Sequence, residues 1–465
     1  MVSDSSKRNV LMASALGSSL APFMVSSLIV ALPTIGHEFS GNPELLGWLT
    51  SIFFISSAIF LVPFGRVAGN YGVKKLFTLG MAVYFLAALL CIGAPDIQFL
   101  IAARFITGIG AGMIFGTSIA LLSLVFPESE RGRALGINVT AMSAGFLLGF
   151  FLGGFLTFYT GWRSIFIVTL PVELFVIGLI LSRIRGECEL SSRKKLDIPG
   201  MILYCLTIAF IMVGFSVLPG TTGIILIAAG LVCLVVFLVR EVRTPAPFLD
   251  VRIFRHNRIF TTANITVLLF NTSNFAVIFL LSLYLQDVRY LDARVTGVIL
   301  LTPVIFMALL STFAGKLSDR KSPRMVIGSG IFLGSLGLFL FIWLNDGTPM
   351  VLIVAALALV GIGIALSQSP LIRTTMSSVP KEVFGIASGM IETMRLIGMT
   401  ASIAISIIVF GLTLGTTRIT TSTGQAFANS LRIIFTILFV ISVCSLLIAL
   451  TLNRPVSPGG PGTAP

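Results

Sequence analysis

The sequence predicts an all-α membrane protein of fourteen spans, arranged as six helices, an inserted pair and six more. Three observations carry that expectation. Of 465 residues, 56% are apolar and only 11% are charged, against about a quarter charged in a soluble protein, so a globule of this size would lack a polar surface. Apolar stretches of roughly 20 residues, the length that crosses a bilayer, recur along the whole chain. Basic residues gather in alternate loops. Soluble enzymes, nucleic-acid binders and disordered scaffolds are excluded on composition.

Reading between charges and turn signals places the spans at about 10–35, 45–65, 76–94, 98–125, 133–158, 163–183, 198–218, 223–240, 259–285, 295–314, 325–344, 350–373, 384–411 and 431–452. Residues 198–239 carry no charge and are too many for one span; Pro219-Gly220-Thr221-Thr222 supplies the break. The first span follows Lys7-Arg8 as a signal peptide would. Its apolar run is too long for one and lacks a small-residue cleavage site, so a retained helix is expected.

With a cytoplasmic N-terminus, alternate loops and ends take 24 of the 31 Lys and Arg. The other loops hold Arg163, Arg289, Arg294, Arg418 and Arg432. A missed or invented helix would scramble this alternation, so both termini are expected on the cytoplasmic side of the cell membrane. The net charge of +13 needs no nucleic acid to explain it. Five cysteines without a C-x-x-C pair, and two histidines, give neither a disulfide framework nor a metal centre, and no cofactor is expected. Long basic loops at about 184–197 and 241–258 bracket the pair. Residues 1–185 are therefore expected to form one six-helix bundle, 186–257 the linker loops and inserted pair, 258–452 the second bundle, and the Pro/Gly-rich 453–465 a disordered tail.

The two halves share a pattern after their second span: Gly65-Arg-Val-Ala-Gly-Asn-Tyr-Gly72-Val-Lys-Lys75, then Gly315-Lys-Leu-Ser-Asp319-Arg320-Lys-Ser-Pro-Arg324. Each reads as a tight cationic turn between helices, and its recurrence points to an internally duplicated transporter. Here the chain resembles the major facilitator superfamily, whose signature in this loop is G-x-L-x-D-R-x-G-R-K. Arg104-x-x-x-Gly108 in span 4, Gly145-x-x-x-Gly149-x-x-x-Gly153-Gly154 in span 5 and Trp162-Arg163-x-x-Phe166 are similar to further motifs of that family. The inserted pair, Asp197-x-x-Gly200, Pro247-Phe-Leu-Asp-Val-Arg-Ile-Phe254, Leu283-Tyr-Leu-Gln286 and Gly385-x-Ala-Ser-Gly389 with Arg395 resemble the fourteen-span drug:proton antiporter branch. The sequence departs from the pattern at Gly69, where the first loop motif has Asp; at Phe150, where the antiporter motif has Pro; and at Met24, where span 1 of the branch carries Asp.

The resemblance implies a major-facilitator fold whose cavity is lined by spans 1, 4, 9 and 12. Span 9 carries Asn264, Asn271 and Asn274 within roughly 80° of arc. Amides do not face lipid, so the stripe either lines the cavity or hydrogen-bonds a neighbouring helix. Gln368 in span 12 and Ser26 in span 1 are further cavity candidates, although small hydroxyls also serve close packing. Gly145, Gly149 and Gly153 form a smooth ridge for helix contact. Arg104 either snorkels outward or, as the family implies, sits beside the cavity. Glu392 and Arg395 share a face at i,i+3 and are able to pair. Glu173 has no cation at i±3 or i±4, so it is expected to touch the inserted pair or to stay protonated. The family implies that the motif carboxylate, here Asp319 beside Arg320, locks the cytoplasmic gate.

The expected function is alternating-access export of amphiphilic organic molecules or drugs by proton antiport, by a monomer in the bilayer. The alternative keeps the fold but makes it an importer, a uniporter or a lipid-handling permease without carboxylate coupling. A membrane enzyme or an ATP-driven pump is set aside: there is no catalytic polar cluster and no phosphate-binding loop.

Overall fold

The computed structural model describes residues 4–183, 196–218, 220–245, 247–249, 251–252, 254, 257–320, 322–379, 384–414 and 424–452; the expected tail and most of loop 184–197 lie outside them. The described residues are helical, without a strand. In order they form α1 (Asp4–Phe39), α2 (Pro43–Tyr71), α3 (Val73–Ile92), α4 (Ile97–Val125), α5 (Glu128–Thr160) and α6 (Ser164–Arg183). Then come α7 (Ile198–Val217) and α8 (Thr221–Arg243), and after them α9 (Arg258–Leu283), α10a (Ala293–Leu300), α10b (Thr302–Arg320), α11 (Pro323–Phe341), α12 (Met350–Ser377), α13 (Phe384–Thr413) and α14 (Gly424–Ala449). Counting α10a and α10b as one span, fourteen helices are long and apolar enough to cross a membrane. Odd-numbered helices start at the end rich in cationic loops, termed here the basic end; the other is the far end.

Side-chain caps fix several helix starts by accepting an otherwise orphaned N–H. Asn42 accepts from Leu45 N at 2.9 Å, Asp96 from Phe99 N at 2.7 Å, Asn257 from Phe260 N at 2.9 Å and Asp292 from Val295 N at 2.9 Å. Asn42 and Asp292 open the second helix of each half, so the duplication extends to the caps.

Two expectations are corrected. The shared motif is not a loop in either half: Gly65 to Tyr71 continue α2, and Gly315 to Arg320 complete α10b. Apolar counting stops where charges begin, but backbone hydrogen bonds carry the helix past the bilayer. The turn itself falls on Gly72, whose φ of 104° is open to glycine and strained for other residues. The span expected at 295–314 is broken at Leu301, because Pro303 has no N–H to give the preceding turn.

Helix pairs repeat across the halves. α1 lies along α5, α2 along α4, α3 along α4 and α6; eight helices later α9 lies along α13, α10b along α12, and α11 along α12 and α14. Between the halves, α2 packs on α13 and α5 on α10a. The inserted helices α7 and α8 pack on each other, and α7 lies in the seam between α2 and α13.

Asp197 accepts from Gly200 N at 3.1 Å to start α7, and Arg240 Nη1 donates to it at 2.6 Å from the end of α8. The Arg240 guanidinium holds the Asp197 carboxyl below its usual range. A lowered folded-state value means stability present above the free carboxyl range, about pH 4, and lost as pH falls through the lowered value. Asp197→Asn is therefore expected to abolish the part of the acid-induced loss of α7–α8 protection that this pair contributes, read by hydrogen exchange of Met201 and Ile202.

Candidate functional site

A polar cleft opens between α9, α12 and α13. It is lined by Asn271, Gln368, Glu392 and Arg395 among Val267, Phe270, Leu371, Ile372 and Ile391. Gly398 makes it possible: a Cβ there would sit 3.0 Å from Asn271 Cβ and 2.5 Å from Leu268 O, so α13 lies directly on α9. Arg395 Nη2 donates to Glu392 Oε1 at 2.5 Å across one helical turn, and about a quarter of each side chain is exposed. Arg395 Nε has no partner and Asn271 spends its amide on Val267 O at 2.7 Å. The cleft thus offers an acid, an unspent guanidinium N–H and two amides beside Phe270. Its cavity volume of about 40 Å³ is far below the roughly 300–1,000 Å³ of pockets that take organic ligands, so in this conformation it is too tight for an organic substrate.

The other sequence candidates fall elsewhere. Asn264 Nδ2 donates to Phe260 O at 2.9 Å and Asn274 Nδ2 to Phe270 O at 2.8 Å, each back onto α9 itself. Neither lines the cleft, and the donors make no interhelical bond; of the amide stripe only Asn271 reaches the cleft. Asn274 turns its Oδ1 towards Gly334 on α11. Ser26 is also displaced from the cavity role, because its Oγ donates to Pro22 O at 2.9 Å and packs on Gly149. Gly145, Gly149 and Gly153 lie against Ser19, Phe23 with Ser26, and Ser27, which makes them the α1–α5 contact ridge. Gly108 sits over Phe53 O, and with Gly112 and Gly116 it forms a second ridge, against α2; Gly65 faces Gly116 there. That ridge was legible in the same four-residue spacing.

Arg104 does not snorkel. It is 1% exposed, and its guanidinium stacks 4.7 Å from the Phe53 ring centroid. Glu173 is fully buried against α3 rather than against the inserted pair, which corrects the expected contact. Asp319 and Arg320 end α10b; the surroundings of both, and of Gly315, lie outside the described residues.

The far end is closed by contacts between the halves. Ser282 Oγ donates to Ile29 O at 2.6 Å and Gln286 Nε2 to Val30 O at 2.9 Å, while His37 meets Asp287 at 3.1 Å. Phe54 and Phe275 pack edge to face with centroids 5.0 Å apart. Gly154 abuts Ala293 O, and Gly297 abuts Phe150 O, so α5 and α10a touch backbone to backbone. Towards the basic end, Ile137 and Val139 on α5 and Leu309 and Phe313 on α10b are exposed.

Two attachments of the inserted pair escaped the sequence. Tyr204 Oη reaches Ala58 O at 3.3 Å and Thr393 Oγ1 at 3.2 Å, so α7 bonds both sides of the α2–α13 seam. Arg66 in the first motif donates to Phe248 O at 3.2 Å and Pro247 O at 3.1 Å, while Glu241 accepts from Leu249 N at 3.0 Å. With Gly69 in place of the motif Asp, the linker after α8 supplies acceptors to Arg66. A lone Tyr in an apolar span was the one visible hint of the first attachment; nothing local signalled the second.

The family profile described as the Major Facilitator Superfamily matches residues 14–403. The chain belongs to the major facilitator superfamily. This facilitator is 31% identical over 402 residues to the multidrug resistance protein Stp of Mycobacterium tuberculosis (strain ATCC 25618 / H37Rv), covering 84% of this chain and 74% of that one. It is 26% identical to the riboflavin transporter RibZ of Clostridioides difficile (strain 630), covering 80% and 81%, and 28% identical to the methylenomycin A resistance protein of Streptomyces coelicolor, covering 84% and 83%. Among solved structures, an auto-inhibited POT family peptide transporter superposes with a TM-score of 0.74 at 14% identity, covering 98% and 99%. A bacterial homologue of the human lysosomal transporter Spinster, solved inward-facing and unoccupied, gives 0.71 at 15%, covering 97% and 98%. At those identities the likeness concerns the fold. The facilitator is a multi-pass membrane transporter of small molecules, not an enzyme.

Proposed function

We propose that this facilitator exports amphiphilic organic compounds from the cell by proton antiport, with the cleft at Glu392–Arg395 as the substrate-facing and coupling element. The observation that carries the reading is the Glu392–Arg395 bridge itself. It is an ionisable pair inside a span, about a quarter exposed in a cleft, and such residues are costly in a membrane unless they do work. Relatives described as drug-resistance proteins support the direction and the substrate class. The far end is read as the outer face, so the conformation described is outward-closed, and the bridge would break as the cleft widens in the other state. The bland alternative, a self-neutralising structural pair, predicts equal loss of binding and turnover on mutation.

The direction of transport is tested by growth of a pump-deficient host with and without the gene across a panel of toxic compounds. Raised tolerance to several amphiphilic compounds is expected, and unchanged tolerance together with raised uptake would favour an importer. The sidedness is tested by a reporter active only in the cytoplasm, fused after Pro465 or inserted near Lys194. Both fusions are expected to be active.

The surviving motif carboxylate gives a further expectation. The resemblance implies that the motif carboxylate meets the N-terminus of a neighbouring helix, whose partial positive charge stabilises it; this chain keeps only the second copy, Asp319 on the last turn of α10b. Asp319→Asn is expected to reduce transport at least tenfold with little loss of protein in the membrane, whereas Gly69→Ala is tolerated. Equal, mild effects would remove the gating role.

A further inference from the structure

Glu173 on α6 carries two carboxyl oxygens without a hydrogen-bond partner and is 0% exposed. Thr169, one turn earlier, donates its hydroxyl to Phe166 O at 2.9 Å instead. On α3 the Tyr84 hydroxyl is likewise buried and unpaired, and on α4 Arg104 Nε and Nη1 have no acceptor. Tyr84 lies within electrostatic reach of both Arg104 and Glu173, and so does Cys91. At about 1.5 Å per residue, Tyr84, Arg104 and Glu173 lie at similar depths, each roughly 10–14 Å from the far end of its helix. Three elements therefore bring an acid, a phenol and a guanidinium to one level of the N-terminal bundle, and leave both carboxyl oxygens, the phenol hydroxyl and two guanidinium nitrogens unspent.

We propose that Glu173, Tyr84 and Arg104 form a proton-binding site inside the N-terminal bundle, loaded in the conformation described. An arginine keeps its charge at any working pH, and here the face of Phe53 balances it. A second, unpaired charge on Glu173 in the same apolar core has no compensation, so the acid holds its proton. A modest shift of α6 against α3 and α4 would let Glu173 release that proton to water. Its carboxylate would then accept the Tyr84 hydroxyl and face Arg104. One proton leaves and one ion pair forms, with no other reactant. The half that lacks an acid at Met24 on α1 thus holds one on α6, a helix that packs against α1.

The remaining ionisable groups around α6 are engaged or remote. On α1, His37 meets Asp287 and Glu38 accepts from Arg163 Nη1 at 2.6 Å, both at the far end, while Lys7 and Arg8 lie at the basic end. On α3, Lys74 and Lys75 lie at the basic end. On α5, Tyr159 accepts from Arg294 at 3.1 Å at the far end, and Glu130 and Arg133 are at the basic end.

The test uses infrared spectroscopy of the full-length protein in liposomes at neutral pH without substrate, where a protonated carboxyl in apolar surroundings gives its own C=O band. The wild type is expected to show that band, Glu392→Gln to keep it, and Glu173→Gln to lose it. Tyr84→Phe, which keeps the ring and its packing, is expected to displace the band, and decides the matter if Glu173→Gln does not fold. A band unchanged in Glu173→Gln, or unmoved in Tyr84→Phe where Glu173→Gln is not obtained, overturns the proposal. No substrate enters the measurement, so a failure of the export reading leaves this result standing, and the reverse holds too.

Discussion

Glu392→Gln is expected to abolish transport driven by an imposed pH gradient while leaving substrate binding within about threefold of wild type. Arg395 Nη2 lies 2.5 Å from Glu392 Oε1, so the only acid lining the cleft is engaged by a cation one helical turn away. Coupling requires that proton affinity differ between the two states of the carrier. In the tight cleft the bridge is closed; both residues sit on α13, so a swing of the Arg395 side chain to another partner as the cleft changes shape is the event that would free Glu392. The amide of glutamine preserves size and an acceptor for Arg395 but cannot take up a proton. Binding should therefore persist, and so should downhill exchange of substrate, while the proton-driven component falls to background. Transport assays at two external pH values, set against binding measured by ligand-protected thermal shift, separate the outcomes. Wild-type proton-driven transport by Glu392→Gln would remove Glu392 from coupling.

The second large effect is expected at Gly154. A Cβ there falls 2.6 Å from Ala293 O, a backbone atom of the opposite half that has no rotamer to move. Gly154→Val should cost the far-end-closed state about 1–3 kcal/mol of overpacking, which displaces a two-state equilibrium by roughly 5- to 150-fold. The contrast is Gly149→Val, which strikes Phe23 O inside the N-terminal bundle and should lower thermal stability in both states. With the five native cysteines replaced, Ser282→Cys reports the difference. Ser282 is fully buried between the halves, so labelling by a membrane-impermeant maleimide should be slow in the wild-type background and at least about fivefold faster with Gly154→Val. It should be unchanged with Gly149→Val in whatever protein folds.

The fourteen spans were legible because apolar length and alternating cations are local signals, and so was the Glu392–Arg395 pair, since i,i+3 spacing fixes a shared face on a helix. The α1–α5 ridge was legible for the same reason. Other features depend on atoms far apart in the chain. Asn264 and Asn274 share an arc with Asn271, yet back-bonding to their own helix and a turn towards α11 took them out of the cleft, which side-chain spacing alone could not decide. Glu173 lacked a cation at helical spacing, and only the packing of α3 between α4 and α6 brings it within range of Tyr84, which in turn lies within range of Arg104. Arg66 ends on carbonyl groups of Pro247 and Phe248, 181 and 182 positions away. Helix ends were misplaced because hydropathy measures the bilayer, whereas α2 and α10b run beyond it.

In the proposed antiport this facilitator moves an amphiphilic organic molecule against the proton gradient as the α9–α12–α13 cleft opens and closes. The most direct measurement places the purified protein in liposomes with ethidium as the probe and imposes a pH gradient of either sign. Ethidium should accumulate on the acidic side, reverse when the gradient is reversed, and stop in Glu392→Gln. Movement that ignores the gradient, with equal rates in the wild type and in Glu392→Gln, would contradict the account and leave a uniporter in its place.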